Sequence, residues 1–283
     1  MASASVDDWP AVRGTIFYKM SGSGNDFVVL DGRFTDASRW PAEHVRSVCD
    51  RRTGVGADGL VILTAATADS VRMAYWNADG SPGALCGNAA LCSGRLAVAL
   101  ELVAPGEFCL LTDAGVVQVR AAGEGDTAEI RVPDLDLPVE HTAVPPLASE
   151  RWHSLGRVGV PHLVVGVSRI EEVDVISRGR LLRSHPSLGV EGANANFVAS
   201  EDGSWRIRTY ERGVEAETLA CGTGTVAAAL ALVARREAQL PVTFRSRGGL
   251  ELTVRGILEG TRASEVWLRG QGKLVFRGVW EDR

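Results

Sequence analysis

Two apolar runs, each opened by a Cys-Gly turn, constrain the fold of this chain more than any other feature. Cys86-Gly87-Asn88 opens the run from Ala89 to Val103, and Cys221-Gly222-Thr223-Gly224 opens the run that ends at Ala234. Thr225 to Ala234 offers no polar face before Arg235. A helix that is apolar all round must be enclosed by other elements. Cys221 follows Cys86 by 135 positions in a chain of 283, close to half its length. This spacing predicts an internal repeat, with a sheet curling around one central helix in each half.

The remaining segments fit that outline. β-type runs are predicted at Thr15 to Met20 and Phe27 to Leu30 around the turn Ser21-Gly22-Ser23-Gly24-Asn25. A helix is expected over Trp40 to Arg51, with Pro41 suited to its first turn. Further strands are expected at Leu60 to Leu63, Val71 to Trp76, Cys109 to Thr112, Val116 to Arg120 and Ala128 to Val132. Asn88 is of the residue type that caps a helix start. Four of the 11 prolines (Pro133, Pro138, Pro145 and Pro146) cluster near mid-chain and mark the linker. Beyond it, strands are expected at Arg157 to Val167, Asn196 to Ala199, Trp205 to Tyr210, Val242 to Phe244, Leu250 to Val254, Glu265 to Arg269 and Leu274 to Val279.

Composition removes several classes of function. A formal charge of −5 gives no basic field for nucleic acid or for an anionic membrane. The longest uncharged run, Thr218 to Ala234, falls short of the ~20 apolar residues of a membrane span. The opening MASASVDDWP has neither a basic nor an apolar signal region. Five scattered cysteines read as reduced thiols of a cytoplasmic protein. No C-x-x-C pair is present, so no metal site is expected. Only two of the 30 basic Lys and Arg residues are lysines, Lys19 and Lys273, and neither sits in a recognisable Schiff-base site. No cofactor is expected.

The two Cys-Gly turns carry the chemistry. A helix N-terminus has unpaired N–H groups and a partial positive charge, and it accepts a carboxylate as readily as a phosphate. A sulfur at that position is expected to be activated by a lowered pKa. A single cysteine before an apolar helix is most often a small buried hydrophobe. The symmetric placement of Cys86 and Cys221 favours two sulfurs flanking one substrate, whereas Cys49, Cys92 and Cys109 read as packing residues. Such a pair suits removal of an α-proton from one face of a carbon and its return to the other.

These residues, with Gly24-Asn25-Asp26-Phe27, Asn77-Ala78-Asp79-Gly80-Ser81, Pro161-His162, Asn194, Tyr210-Glu211-Arg212-Gly213 and Ala220-Cys221-Gly222-Thr223-Gly224, make the chain resemble the diaminopimelate epimerases. The likeness runs from about Phe17 to Val279. It implies an α/β (α+β) fold of two pseudo-symmetric domains, each a curled mixed sheet around a central helix, with the site in the cleft between them. The domains implied are 1–134 and 135–273, with the last strand, about 274–283, crossing back to the first. The resemblance makes Cys86 and Cys221 the catalytic thiolate and thiol, exchanging roles with direction. It gives the backbone N–H groups of Gly87, Asn88, Gly222 and Thr223 to the reacting carboxylate. It assigns Asn25, Asn77, Asn194, Glu211 and Arg212 to the rest of the substrate, with His162 as a supporting residue. The activity implied is cofactor-independent conversion of LL-diaminopimelate to the meso form, on the way to lysine and cell wall, by a cytoplasmic homodimer.

Some positions depart from the family pattern. Val160 stands where the family has asparagine, and Gly59 where many members have glutamine. Pro82, Ala89 and Leu91 also differ from the usual choices. A site built to hydrogen-bond a substrate group discriminates strongly through that bond. Val160 therefore keeps open a racemase or epimerase of another amino acid on the same scaffold. A non-catalytic amino-acid binder and a Cys86–Cys221 redox switch are the readings from other classes; retention of both sulfurs argues against the binder.

Overall fold

The computed structural model describes residues 14–281; the opening MASASVDDWP lies outside them. The first half contains β1 (Thr15–Gly22), β2 (Asn25–Asp31), α1 (Ala42–Cys49), β3 (Gly59–Thr67), β4 (Ser70–Asn77), β5 (Pro82–Gly83), α2 (Gly87–Ala99), β6 (Gly106–Thr112), β7 (Gly115–Ala121) and β8 (Thr127–Arg131). The short strands β9 (Leu135–Asp136) and β10 (Val139–Glu140) lie within the proline-rich segment. Then follow β11 (Glu150–Val158), β12 (Val160–Val167), α3 (Val175–Arg183), β13 (Asn194–Glu201), β14 (Ser204–Glu211), β15 (Ala216–Thr218), α4 (Gly222–Ala234), β16 (Val242–Arg245), β17 (Glu251–Glu259) and β18 (Arg262–Trp280).

The two halves repeat one pattern of pairings. In the first, β1–β2 is antiparallel, β2–β3 parallel across α1, β3–β4 antiparallel and β4–β6 parallel across α2. In the second, β11–β12 is antiparallel, β12–β13 parallel across α3, β13–β14 antiparallel and β14–β16 parallel across α4. Each parallel pair needs a crossover, and a helix supplies it. The fold is α/β (α+β), with a mixed sheet curled around a central helix in each half. Helix α2 packs against β1, β7, β8 and β18, and α4 against β11, β12, β13 and β17. Both helices are sealed in one continuous apolar core that runs through both halves. Every residue of α4 from Gly224 to Val233 is buried, which is the enclosure its sequence demands. No described helix is long and apolar enough to cross a membrane.

Four features differ from the sequence reading. The single strand expected over Arg157 to Val167 is the end of one strand and all of the next: β11 and β12 form a hairpin that turns at Gly159, whose φ is +69°. The two strands expected at Glu265 to Arg269 and Leu274 to Val279 are one strand, β18. Its glycines do not break it. A Cβ on Gly270 would strike Leu91 Cδ1 at 2.7 Å, and one on Gly272 would strike the Leu91 carbonyl oxygen at 2.6 Å, so they let the strand pass close over α2. Along its length β18 pairs first with β17 and β8, then with β1 (Thr15↔Trp280 to Gly22↔Gly272). Helix α3 was not anticipated, because Gly179 and the arginines of ISRGRLLR dilute its apolar face. Gly179 is there because the Tyr210 side chain presses on it, 2.4 Å from where a Cβ would stand. Finally, Cys86 rather than Asn88 occupies the N-cap position of α2.

Helix α3 is tied down by a buried ionic cluster. Arg178 donates from Nε and Nη2 to the two oxygens of Glu150, both at 2.7 Å, and His153 Nε2 lies 3.0 Å from Glu150 Oε2. Burial raises the Glu150 pKa, but His153 and Arg178 outweigh it and hold the carboxyl at about 2. A depressed folded-state pKa stabilises the fold above the ordinary carboxylate range and is lost as pH falls towards 2. Replacing one partner of a buried pair leaves the other charge uncompensated. Arg178→Met is expected to lower unfolding free energy by about 3 kcal/mol in urea titrations at pH 7. The deficit should shrink below pH 4, and a variant as stable as the parent at neutral pH would contradict the account.

Candidate active site

Helices α2 and α4 bring their N-termini together. A Cβ on Gly222 would stand 3.9 Å from Asn88 Oδ1, one residue into the facing helix start. Cys86 and Cys221 occupy equivalent N-cap positions with nearly equal backbone angles, φ −128° and ψ 123° against φ −130° and ψ 111°. Neither sulfur makes a full capping hydrogen bond. The amides of Asn88 and Ala89 nonetheless lie close to the Cys86 sulfur, and the amide of Gly224 close to that of Cys221. Thr223 Oγ1 is 3.5 Å from Cys221 Sγ. The first turn of α4 needs a glycine at 224, since a Cβ there would collide with Asn196 Oδ1 at 2.2 Å.

The expectation of activated, low-pKa sulfurs is overturned in this structure. Burial pushes both thiols up, Cys221 to about 12, and outweighs the nearby amides. Desolvation penalises the charged form, and the half-charge of a helix end does not compensate when the sulfur is shielded from water. Glu211 adds to the rise at both cysteines, and the two sulfurs are close enough for the charge of Cys86 to act on Cys221. Cys221 is only 7% exposed, while Cys86 is partly exposed.

Glu211, at the end of β14, thus lies within electrostatic reach of both sulfurs. Burial raises its own pKa, with Thr218 opposing. Among the described residues no cation pairs with it. Arg212 next to it is held differently: its backbone N–H donates to Asn194 Oδ1 at 2.7 Å, and its Nη1 donates to Glu191 Oε1 at 3.2 Å. Asn194 is therefore a bracket for the 211–212 turn as well as a wall of the site.

Asn25 is fixed from below. Asn88 Nδ2 donates to Asn25 Oδ1 at 2.6 Å, and Asn25 Nδ2 donates to Asp58 Oδ2 at 2.9 Å. Asp58 and Asp26 share Arg51, at 2.7 Å each, and Lys19 reaches Asp26 at 2.5 Å. Burial raises the Asp26 pKa, but Arg51 and Lys19 hold it at about 2. Lys19, one of the two lysines, is thus engaged in an ion network beneath the site. Asn77 accepts from the Tyr75 hydroxyl at 2.9 Å and donates to Ser81 Oγ at 3.1 Å. His162 is fully buried, with Nδ1 3.3 Å from Asn196 Nδ2. Burial lowers its pKa to about 4, helped by the Arg212 charge and opposed by the Val158 carbonyl. His162 is therefore neutral at physiological pH.

Three buried polar atoms here lack hydrogen-bond partners: Asn88 Oδ1, His162 Nε2 and Thr218 Oγ1. The sequence reading brought Cys86, Cys221, Asn25, Asn77, Gly87, Asn88, Asn194, Glu211, Arg212, Gly222, Thr223 and His162 to notice. The structure gathers them on the facing helix starts and the strand ends around them. It adds Tyr75, Asp58, Asn196 and Thr218, which the sequence reading missed.

The repeat explains why the surroundings of the two sulfurs differ. Phe27 pairs with Gly59 in the first half as His162 pairs with Asn194 in the second. By this register Val160 is the counterpart of Asn25, and Gly59 the counterpart of Asn194. Both departures from the family pattern thus fall on positions whose repeat mate is polar. Aligning the halves on their parallel strands is the signal that would have found α3 and paired Tyr75 with Thr209.

The fold is shared with proteins of known structure. A hydroxyproline epimerase from Agrobacterium vitis superposes with a TM-score of 0.65 at 17% identity, covering 97% of this chain and 95% of that one. A PhzF-family phenazine biosynthesis protein from Enterococcus faecalis gives 0.67 at 17% identity, covering 94% and 98%. Sequence narrows this further. The diaminopimelate epimerase family profile matches residues 17–133 and 155–261, and the chain belongs to that family. It is 40% identical over 278 residues to the diaminopimelate epimerase of Gemmatimonas aurantiaca (93% of this chain, 98% of the relative) and 37% identical over 281 residues to that of Aquifex aeolicus (93% and 96%).

Raised thiol pKa values mean that both sulfurs carry their protons at pH 7. Iodoacetamide labelling of the two should accordingly be slow at pH 7 and climb through pH 9 and above, with Cys86 modified before the more buried Cys221. Peptide mapping that found rapid, equal labelling at pH 7 would overturn this ordering.

Proposed function

We propose that this protein epimerises one α-carbon of LL-diaminopimelate, giving the meso form, with Cys86 and Cys221 as the acid and base. The observation that carries the reading is the meeting of two thiols at facing helix N-termini, both under the influence of one half-buried carboxylate, Glu211, with no cation paired to it among the described residues. A symmetric donor–acceptor pair on opposite sides of a small gap suits inversion at carbon and little else.

In this reading the substrate's reacting carboxylate receives the N–H groups of Gly87, Asn88, Gly222 and Thr223. Donors fixed in advance stabilise the charge that reaches the carboxylate as the α-proton leaves. The substrate ammonium sits against Glu211. Neutralising that carboxylate removes a repulsion that holds both thiols protonated, so binding itself favours formation of the thiolate. The thiolate takes the α-proton: the C–H bond breaks, an S–H bond forms, and the electron pair remains on the substrate. The opposite thiol gives its proton to the other face and becomes the thiolate. Exchange with solvent then resets the pair. Arg212, Asn25, Asn77 and Asn194 hold the distal ammonium and carboxylate, and His162 supports Asn196 beneath them. The chemistry draws on no cofactor in this scheme.

The same reading divides the chain into domains 1–134, with about 274–283 returning to it, and 135–273. The burial of Cys221 requires these bodies to part for substrate to enter, and sealing the site excludes water from the carbanion. We also place the protein in the cytoplasm as a homodimer. Leu274, Val275, Phe276 and Val279 on β18 are exposed, which supports association through that region.

A second reading, action on another amino acid, is favoured by Val160, a half-buried apolar residue at the repeat mate of Asn25. Chiral chromatography over a panel of amino acids separates the two, and turnover of diaminopimelate alone removes the alternative. In deuterated water the wild type should exchange label into the α-position of diaminopimelate without added cofactor. Cys86→Ala and Cys221→Ala should each lower epimerisation by at least about a thousandfold, since these groups act as a unit. Near-parental turnover in both variants would reject the proposal.

A further inference from the structure

Tyr75 is a buried phenol that the sequence reading did not assign a role. It lies on β4, two residues before Asn77, in a slot made by two glycines. A Cβ on Gly59 would strike Tyr75 Cε2 at 2.7 Å and approach its hydroxyl at 3.3 Å. A Cβ on Gly83 would strike Cδ1 and Cε1 of the same ring at 2.4 and 2.5 Å. The edge of the ring is fixed by Phe27, T-shaped at 6.3 Å. The slot thus fixes where the hydroxyl goes. It donates to Asn77 Oδ1 at 2.9 Å and lies near the Cys86 sulfur without a formed hydrogen bond to it. In the second half the repeat mate of Tyr75 is Thr209, a residue without a ring, whose hydroxyl donates to Asn196 Oδ1 at 3.0 Å.

We propose that Tyr75 is a positioning residue for Cys86, a phenol clamped between Gly59 and Gly83 that donates to Asn77 and turns to the neighbouring sulfur when the sulfur ionises. The purpose assigned to the contact rests on the epimerase reading above; the contact itself does not. A phenol O–H carries one proton and serves one strong acceptor at a time. While Cys86 is a thiol, the better acceptor is the Asn77 amide oxygen. Once the sulfur carries a negative charge it becomes the stronger acceptor, and donation to it stabilises the thiolate. Rotation of the O–H then releases Asn77 Oδ1 to a donor on the substrate. The proton never leaves Tyr75. Burial, with the neighbouring Cys86 and Asp58 charges, pushes the phenol well above its ordinary pKa, so it acts as a donor and not as a base. Gly59 fits the same packing, because a Cβ there would meet the Trp76 carbonyl oxygen at 2.5 Å and the ring at 2.7 Å. The two sulfurs are consequently unlike: Cys86 answers to a phenol, and Cys221 to the Thr223 hydroxyl.

Peptide-resolved iodoacetamide labelling of the full-length protein between pH 7 and 11 tests this. Tyr75→Phe keeps the ring and its packing and removes only the hydroxyl. Cys86 labelling at a fixed pH of 9 should fall by about tenfold or more as its ionisation moves upward, a size set by loss of one hydrogen bond to a charged group. Cys221 labelling should stay within about twofold of the parent. The basic-side limb of the kcat/KM profile for diaminopimelate should move upward with it. Gly83→Ala, which drives the ring out of its slot with the hydroxyl intact, should shift Cys86 in the same direction. An unchanged Cys86 profile in both variants, or equal slowing of Cys86 and Cys221, overturns the proposal. Wild-type protein that exchanges no α-proton of diaminopimelate defeats the epimerase reading and leaves the labelling result standing; active wild type with an unshifted Tyr75→Phe defeats this inference alone.

Discussion

Enclosure of two apolar helices is the constraint on which the rest of the structure depends. Neither α2 nor α4 has a face it can give to water, so strands must pass around each on several sides. The sides being sealed, the N-terminal ends remain as the places where polar backbone is free to meet something else. The fold points both ends at one place, where the donors of two helices converge. Catalytic potential here is a by-product of how the helices are buried.

Burial then works against the helix ends. The partial charge at a helix start favours a thiolate, yet removing the sulfur from water disfavours it more, and the unpaired Glu211 adds to the penalty. The balance leaves the thiols protonated and makes their ionisation responsive to charge brought in from outside. A cationic group at Glu211 reverses one of the two opposing effects without moving any atom of the protein. Below the site, the Lys19–Asp26–Arg51–Asp58 network does the opposite task. Its ion pairs hold Asp58 in place, and through it Asn25 and Asn88.

The two halves share a pattern of pairings but not the residues that line the gap. Asn25 corresponds to Val160 in the repeat, Asn194 to Gly59, and Tyr75 to Thr209. A symmetric scaffold with asymmetric walls suits a reaction in which the proton transfers mirror each other while the rest of the substrate has to be held in one orientation. At Gly59 the phenol ring of Tyr75 takes the space that a side chain would fill.

Much of this was legible in the chain itself. The paired Cys-Gly turns, the all-apolar helices and the repeat spacing are local signals, and each follows from periodicity or from a residue type at a helix start. They determined the α/β class, the two central helices and the pair of sulfurs. Helix α3 escaped because its glycine answers to Tyr210, a residue 31 positions away. The continuity of β18 escaped because Gly270 and Gly272 read as breaks until Leu91 is seen lying against them. The direction in which burial shifts the thiols, and the packing of the Tyr75 ring against Gly59 and Gly83, come only from tertiary structure. The first depends on how much water surrounds a group and which charges stand within a few ångströms, and both are set by segments distant in sequence that folding brings together.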